Sequence, residues 1–246
     1  MNNNIIVRVA AVADAHFAEK ITDEMAESAK ARGTGIARRS PDYIKRKMEE
    51  GKAVIALTDT GDWVGFCYIE SWEHEKFVAN SGLIVSPAFR KSGVATQIKR
   101  KVFELSRKKY PHAKIFGLTT GLAVMKINSE LGYEPVTYSE LTTDEDFWKG
   151  CQSCVNYEIL KSKERKNCMC TAMLYDPEEV AKKQAELSQT VVTAGGELEH
   201  HRKRAFQGNF KLFERWVRFK QFVLLSRRKK EGDREGNKPG LFSFLF

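Results

Sequence analysis

Apolar and polar positions change period along this chain, and each change marks an element. The β-branched run Ile5 to Ala10 predicts a strand. Ala13 to Ala31 is rich in Ala, Glu and Lys without Gly or Pro and predicts a helix, ended by Arg32-Gly33. Ser40-Pro41 reads as an N-cap followed by a first-turn proline, opening a helix through Glu50 that stops at Gly51. Lys52 to Leu57 and Trp63 to Ser71 form a hairpin around the turn at Thr58 to Asp62. A strand follows at Asn80 to Val85. Val94, Ile98, Val102 and Leu105 then mark a helix over Gly93 to Tyr110, stopped by Pro111. Ala113 to Leu118 predicts a strand, Gly121 to Leu131 a helix, and Tyr133 to Leu141 a last strand. The order β-α-α-β-β-β-α-β-α-β predicts a mixed α/β fold around a central sheet.

Beyond this core, Thr142 to Asp176 reads as a cysteine-bearing insert and Pro177 to Gln189 as helical. Val191 to Gly196 suits a linker. A basic amphipathic helix is expected over His200 to Lys230, and the tail ends in the apolar run Leu241 to Phe246. The expected organisation is a core at 1–142, a cysteine segment at 143–176 that completes or extends it, and a helical basic extension at 177–246.

Composition adjusts this picture in three places. A chain of 246 residues, 42% hydrophobic, has material for one full domain and an appendage. The net charge of +9 is concentrated between His200 and Lys230, where eleven Lys/Arg meet one acid, Glu214, so the remainder sums to about −1. Five cysteines and no signal-like start or membrane-length apolar run argue for a reducing, cytoplasmic setting.

One segment carries chemistry in its order. A strand, Leu83-Ile84-Val85, runs through Ser86-Pro87 into Arg90-Lys91-Ser92-Gly93-Val94-Ala95-Thr96 and then a helix. Small residues there let backbone approach a ligand, and unpaired amides at a helix start bind anions. A diphosphate suits such a cradle, with charge from Arg90 or Lys91. The dinucleotide fingerprint is excluded, because its third glycine and downstream acid are missing.

The same residues resemble the Arg/Gln-x-x-Gly-x-Gly/Ala motif of the GNAT superfamily of acyl-CoA N-acyltransferases. Leu131-Gly132-Tyr133 resembles that family's Leu-Gly-Phe, and the element order from Ile5 to Leu141 is similar to its fold. The resemblance implies acetyl-CoA or another acyl-CoA, with its diphosphate on the amides from Lys91 to Thr96 and its pantetheine arm along Leu83, Ile84 and Val85. It also implies an oxyanion donor near Val85. At the position of the family's usual thiolate acid, a tyrosine, this chain has Asn128, which leaves water, Tyr133 or Tyr138 to supply the proton. Phe116 to Pro135, Phe147 to Cys151 and Cys168 to Cys170 are similar to a bacterial GNAT group linked to arginine biosynthesis. That implies glutamate or a related amino acid as acceptor.

The general base is open among Glu70, His74 and Glu75, on or after the strand before the cofactor strand. Arg38-Arg39 suits a substrate carboxylate, since guanidinium binds carboxylates bidentately, and exposed charge before a helix is the other reading. Cys151-x-x-Cys154 and Cys168-x-Cys170 have paired spacing that suits structural zinc, with a redox pair or core cysteines as alternatives. In the basic helix, Phe206, Phe210, Phe213 and Val217 share a stripe. That face suits docking on the core or in a homodimer, then an anionic membrane surface, then nucleic acid. Three functions remain open. They are an enzyme acylating a small amino acid, an enzyme acylating a protein or tRNA, and an acyl-CoA sensor without turnover.

Overall fold

A computed structural model describes residues 4–33 and 38–193. The predicted loop at 34–37, the second half of the predicted linker at 194–196, the basic helix and the apolar tail lie outside the described residues, and Val191 to Thr193, expected in the linker, are helical. The chain divides into two units after Ser188, and the sheet and the candidate site belong to the first.

Among the described residues the sheet has seven strands: β1 (Ile5–Val9), β2 (Ala53–Thr58), β3 (Trp63–Trp72), β4 (Phe77–Val85), β5 (Lys114–Thr119), β6 (Glu134–Val136) and β7 (Thr171–Tyr175). Their order is β1-β2-β3-β4-β5-β7-β6. The first four form an antiparallel meander, and only β4 and β5 are parallel, joined through a crossover helix. This is the GNAT-like mixed sheet flanked by helices that the sequence predicts.

The helices are α1 (Ala18–Arg32), α2 (Pro41–Glu49), α3 (Val94–Lys109), α4 (Leu122–Glu130), α5 (Glu145–Lys149), α6 (Tyr157–Ser162) and α7 (Pro177–Thr193). The predicted first helix begins as a 3-10 turn, Val12–Phe17, because the Asp14 carboxylate caps the Ala11 amide at 2.7 Å and binds Arg8. In α2, Ser40 accepts from the Tyr43 amide at 3.2 Å and Pro41 fills the first turn, as its sequence requires. No helix among the described residues is long and apolar enough to cross a membrane.

One predicted strand is corrected. Tyr133 to Leu141 is not continuous: it pairs only at Glu134–Val136 and then turns into a 3-10 helix, Tyr138–Glu140. Pro135 lacks an amide, which confines it to an edge strand, and Glu140 caps the Thr137 amide at 2.8 Å. The place beside β5 goes to β7, from the cysteine segment, whose Thr171 to Leu174 are buried.

Front and back layers differ. On the front, Ile21 and Met25 of α1 and Ile44 and Met48 of α2 pack on Phe66 and Tyr68 of β3. Beside them Trp148, Leu160 and Cys168 of the cysteine segment cover Phe77, Ala79 and Phe116. On the back, α3 buries Val94, Ile98 and Val102 against the sheet.

Two features of β4 shape the site. Tyr68 pairs Ser81 and Phe66 pairs Ile84, so Cys67 alone faces Gly82 and Leu83, which is a bulge. Gly82 has φ +65°, and a β-carbon there would strike the Tyr68 ring and reach 3.0 Å from Met25 Cε. Gly82→Ala is therefore expected to lower stability by about 3 kcal/mol, from left-handed strain and overpacking together. Chemical denaturation measures it, and a loss below about 1 kcal/mol would contradict the geometry.

Candidate active site

The β3 strand alternates, so Phe66, Tyr68 and Glu70 share the front face. Glu70 is 7% exposed. Its Oε1 receives the hydroxyl of Tyr43 from α2 and lies 3.2 Å from Arg39 Nη2. Arg39 Nε donates to the Tyr68 hydroxyl at 3.1 Å, and its guanidinium sits 5.0 Å from the Tyr43 ring centre. Lys47, one turn along α2, places its amine 5.1 Å from the same ring. Two cations thus act on one buried carboxylate.

The charges are set by these neighbours. Burial and then the charge of Glu70 push Tyr43 and Tyr68 well above the ordinary phenol range, so both stay protonated and remain donors. Burial works against the Arg39 charge, and Tyr68, Glu70 and Tyr43 more than offset it. Burial pushes Lys47 down, opposed by Glu70 and Glu50.

Of the two predicted arginines, only Arg39 enters this cluster. Arg38 is exposed, and its amide donates to Ser153 Oγ at 3.2 Å, tying the loop to the cysteine segment. Cys151, raised to about 11 chiefly by burial, feels the opposing charge of Arg39. His74 and Glu75 lie exposed in the β3–β4 turn. Of the three candidate bases, only Glu70 has partners in this cluster.

The other half of the site opens on β4. Its ladder with β5 covers only Phe77 to Ala79, opposite Lys114 to Phe116, although β4 runs on to Val85 and β5 to Thr119. Glu70 pairs Ala79, so the Arg39–Tyr43–Glu70 cluster sits where the two strands part. Leu83, Ile84 and Val85 follow, and then a 3-10 turn, Pro87–Phe89, leads to α3. Lys91 and Gly93 take positive φ, +64° and +84°, which turns the chain sharply before Val94. Among the described residues the amides of Lys91, Ser92, Gly93, Val94 and Ala95 donate to no backbone carbonyl, whereas Thr96 bonds Gly93 at 3.1 Å. Lys91, Ser92 and Gly93 are exposed, so the cradle is open.

Arg90 does not face that cradle. Its guanidinium binds Val85 O at 3.1 Å, Glu24 at 2.8 Å and Ser28 at 2.7 Å, pinning the end of β4 to α1. Asn128 is 1% exposed, its amide nitrogen 3.8 Å from Met173 Sδ and its Oδ1 buried without a partner among the described residues. Tyr133 is fully buried and donates to Asn80 Oδ1 at 3.0 Å, which commits its proton. Tyr138 is likewise committed, to Cys170 O at 2.9 Å.

The four cysteines expected to bind zinc do not form a metal-holding group: among the described residues no three His, Cys, Asp or Glu are placed to hold a metal. Cys168 Sγ points at Asn156 O, 3.9 Å away, and the Cys170 thiol hydrogen-bonds it, lowering it to about 6. Cys151 and Cys154 sit on a separate 3-10 turn and its cap. All five cysteines are free thiols.

Sequence reasoning missed Tyr43, Tyr68 and Lys47. Tyr68 was within reach, being two residues before Glu70 on an alternating strand and therefore on its face. Tyr43 and Lys47 lie one helical turn apart, which also puts them on one face.

Residues 21–124 match the family model described as the acetyltransferase (GNAT) family. No curated protein matches the sequence. Among solved structures, N-acetylglutamate synthase from Neisseria gonorrhoeae, complexed with coenzyme A and N-acetyl-glutamate, is similar at a TM-score of 0.50 and 15% identity. That match covers 72% of this chain and 36% of the synthase, so this chain spans about a third of that enzyme's length. Rv2747 from Mycobacterium tuberculosis, solved with CoA, gives 0.49 at 16% identity over 70% of this chain and 98% of its own. A putative acetyltransferase from Salmonella typhimurium with acetyl-CoA gives 0.49 at 14% identity, covering 71% and 94%. At 15% identity the likeness to the synthase concerns the fold alone.

Proposed function

We propose that this chain, whose residues 21–124 match the acetyltransferase (GNAT) family model, is an N-acyltransferase that moves an acetyl group from acetyl-CoA to the amine of a small, carboxylate-bearing amino acid, glutamate first. The observation that carries this reading is the place of the Arg39–Tyr43–Glu70 cluster, opposite Ala79 where β4 and β5 part.

The residues present fit acyl-CoA. Five consecutive amides at an open helix start suit a diphosphate. The strand edges freed beyond Ala79 suit an extended arm pairing along Leu83 to Val85. When bound, acyl-CoA supplies an activated acyl thioester. Glu70, held by Tyr43 and Arg39, takes the proton from the acceptor ammonium so that a neutral amine can attack. Arg39 and Lys47 flank Glu70, and the Arg39 guanidinium suits an acidic side chain or α-carboxylate.

A panel of amino acids, run with acetyl-CoA and with succinyl-CoA and read by release of free CoA, tests this. Turnover is expected with acidic amino acids and acetyl-CoA. Turnover only with a polypeptide or RNA, or tight acyl-CoA binding without turnover, would overturn it.

A further inference from the structure

The proposed reaction lacks an acid for its leaving sulfur. The usual tyrosine position holds Asn128, and Tyr133 and Tyr138 have committed their protons. One buried cation is unassigned. Lys99, in the second turn of α3, is 2% exposed. Its amine lies 5.5 Å from the centre of the Tyr133 ring. Among the described residues it has no carboxylate partner, although a lysine this buried is ordinarily paired.

Its location follows from its neighbours. Asn80 is the first β4 residue beyond the β5 ladder. It faces the back, where it donates to Ser106 of α3 at 2.7 Å and accepts from Tyr133. Ser106 lies seven residues, about two turns, after Lys99 on the same face of α3. Cys67, on the β3 residue that opposes the Gly82–Leu83 bulge, is the thiol that Lys99 feels. Lys99 therefore lies on the back of the sheet near Asn80, where β4 leaves its ladder with β5, and Glu70 lies on the front. Its titratable neighbours are Cys67 and Tyr133, both kept protonated by burial. Burial also pushes the Lys99 amine down, which strengthens it as an acid.

We propose that Lys99 is the catalytic acid of this enzyme, donating its proton to the departing CoA sulfur through the opening behind β4. The inference rests on the acyltransferase reading above. In the step, the acceptor nitrogen forms a bond to the acyl carbon, the carbon–sulfur bond breaks, and its electron pair stays on sulfur. Lys99 gives that sulfur a proton and regains one from solvent. Glu70 passes the proton it took from the acceptor ammonium to solvent. The new amide nitrogen sheds its second proton, so the net reaction releases one proton.

The test compares wild type with Lys99→Met, which keeps the apolar stem and removes the charge. Calorimetry with CoA is the folding and binding control, and Kd is expected to stay within about twofold, since the diphosphate cradle is untouched. Ultraviolet absorbance of the bound thiolate, titrated with pH, reads the contact without turnover. The thiol of CoA bound to wild type should ionise about one pH unit below that of free CoA, and Lys99→Met should remove the shift. The kcat should fall about 100-fold. If Lys99→Met does not fold, Lys99→Gln is expected to give the same two losses. A variant with unchanged thiol ionisation and unchanged kcat overturns the proposal while the acyltransferase reading stands. A wild type that lowers the thiol ionisation but acylates no amine overturns the acyltransferase reading and the acid role together, leaving Lys99 as a thiolate-binding residue.

Discussion

Glu70→Gln is expected to lower kcat by about 10²- to 10⁴-fold, the range that a positioned proton acceptor contributes. The side chain keeps its shape and one oxygen, so Tyr43 can still donate to it. What disappears is the negative charge that accepts the amine's proton. Acetyl-CoA affinity should remain near wild type, because the cradle lies at Lys91 to Ala95 on another element. The substitution also leaves Arg39, half-buried and now unpaired, at a cost of a few kcal/mol that thermal unfolding will show. Acceptor KM need not rise, since Arg39 is then free to take a substrate carboxylate. Assays well below the melting temperature separate the two effects. A variant that turns over at the wild-type rate would remove Glu70 from the chemistry.

Much of the fold is legible because the early elements carry their own boundaries. Ser40-Pro41 caps α2, Pro111 ends α3, and the β2–β3 hairpin is two largely apolar runs around a Gly-containing turn. The miss at β6 and β7 has a different origin. Thr171–Tyr175 is as long as β1 but directly follows a cysteine pair, with no Gly or Pro before it to mark its start. Its place beside β5 is decided by tertiary pairing, which leaves no local mark. The candidate site divides in the same way. The amide cradle is a local device and reads from Pro87 to Thr96. The cluster joins Arg39 to Glu70 across 31 positions, and no short-range pattern signals that Arg39 turns inward while Arg38 stays exposed. Arg90 shows the converse: its motif position suggested phosphate charge, yet Glu24 and Ser28 on α1 recruit it to hold the end of β4. The four cysteines have the spacing of a metal site and lie near one another, yet they do not form a metal-holding group among the described residues, because spacing does not fix how thiols are aimed.

Gly93→Asp should weaken CoA binding by about 10- to 100-fold, measured by calorimetry at fixed salt. The position suits the test because it separates charge from shape. A β-carbon at Gly93 would meet nothing within 4 Å, so no side chain is displaced. Its φ of +84° is one that Asp and Asn tolerate better than other residues, and Asp at the cap of α3 favours the helix dipole. Folding should therefore survive with a loss of about 1 kcal/mol. The carboxylate would compete for the amides meant for the diphosphate and repel its charge. Gly93→Asn carries the same bulk and the same backbone strain without the charge, and should bind CoA within a few-fold of wild type. Raising the ionic strength should narrow the gap between the two variants, since part of the repulsion is screened. If Asp and Asn bind CoA equally well, the amides opening α3 do not hold a diphosphate.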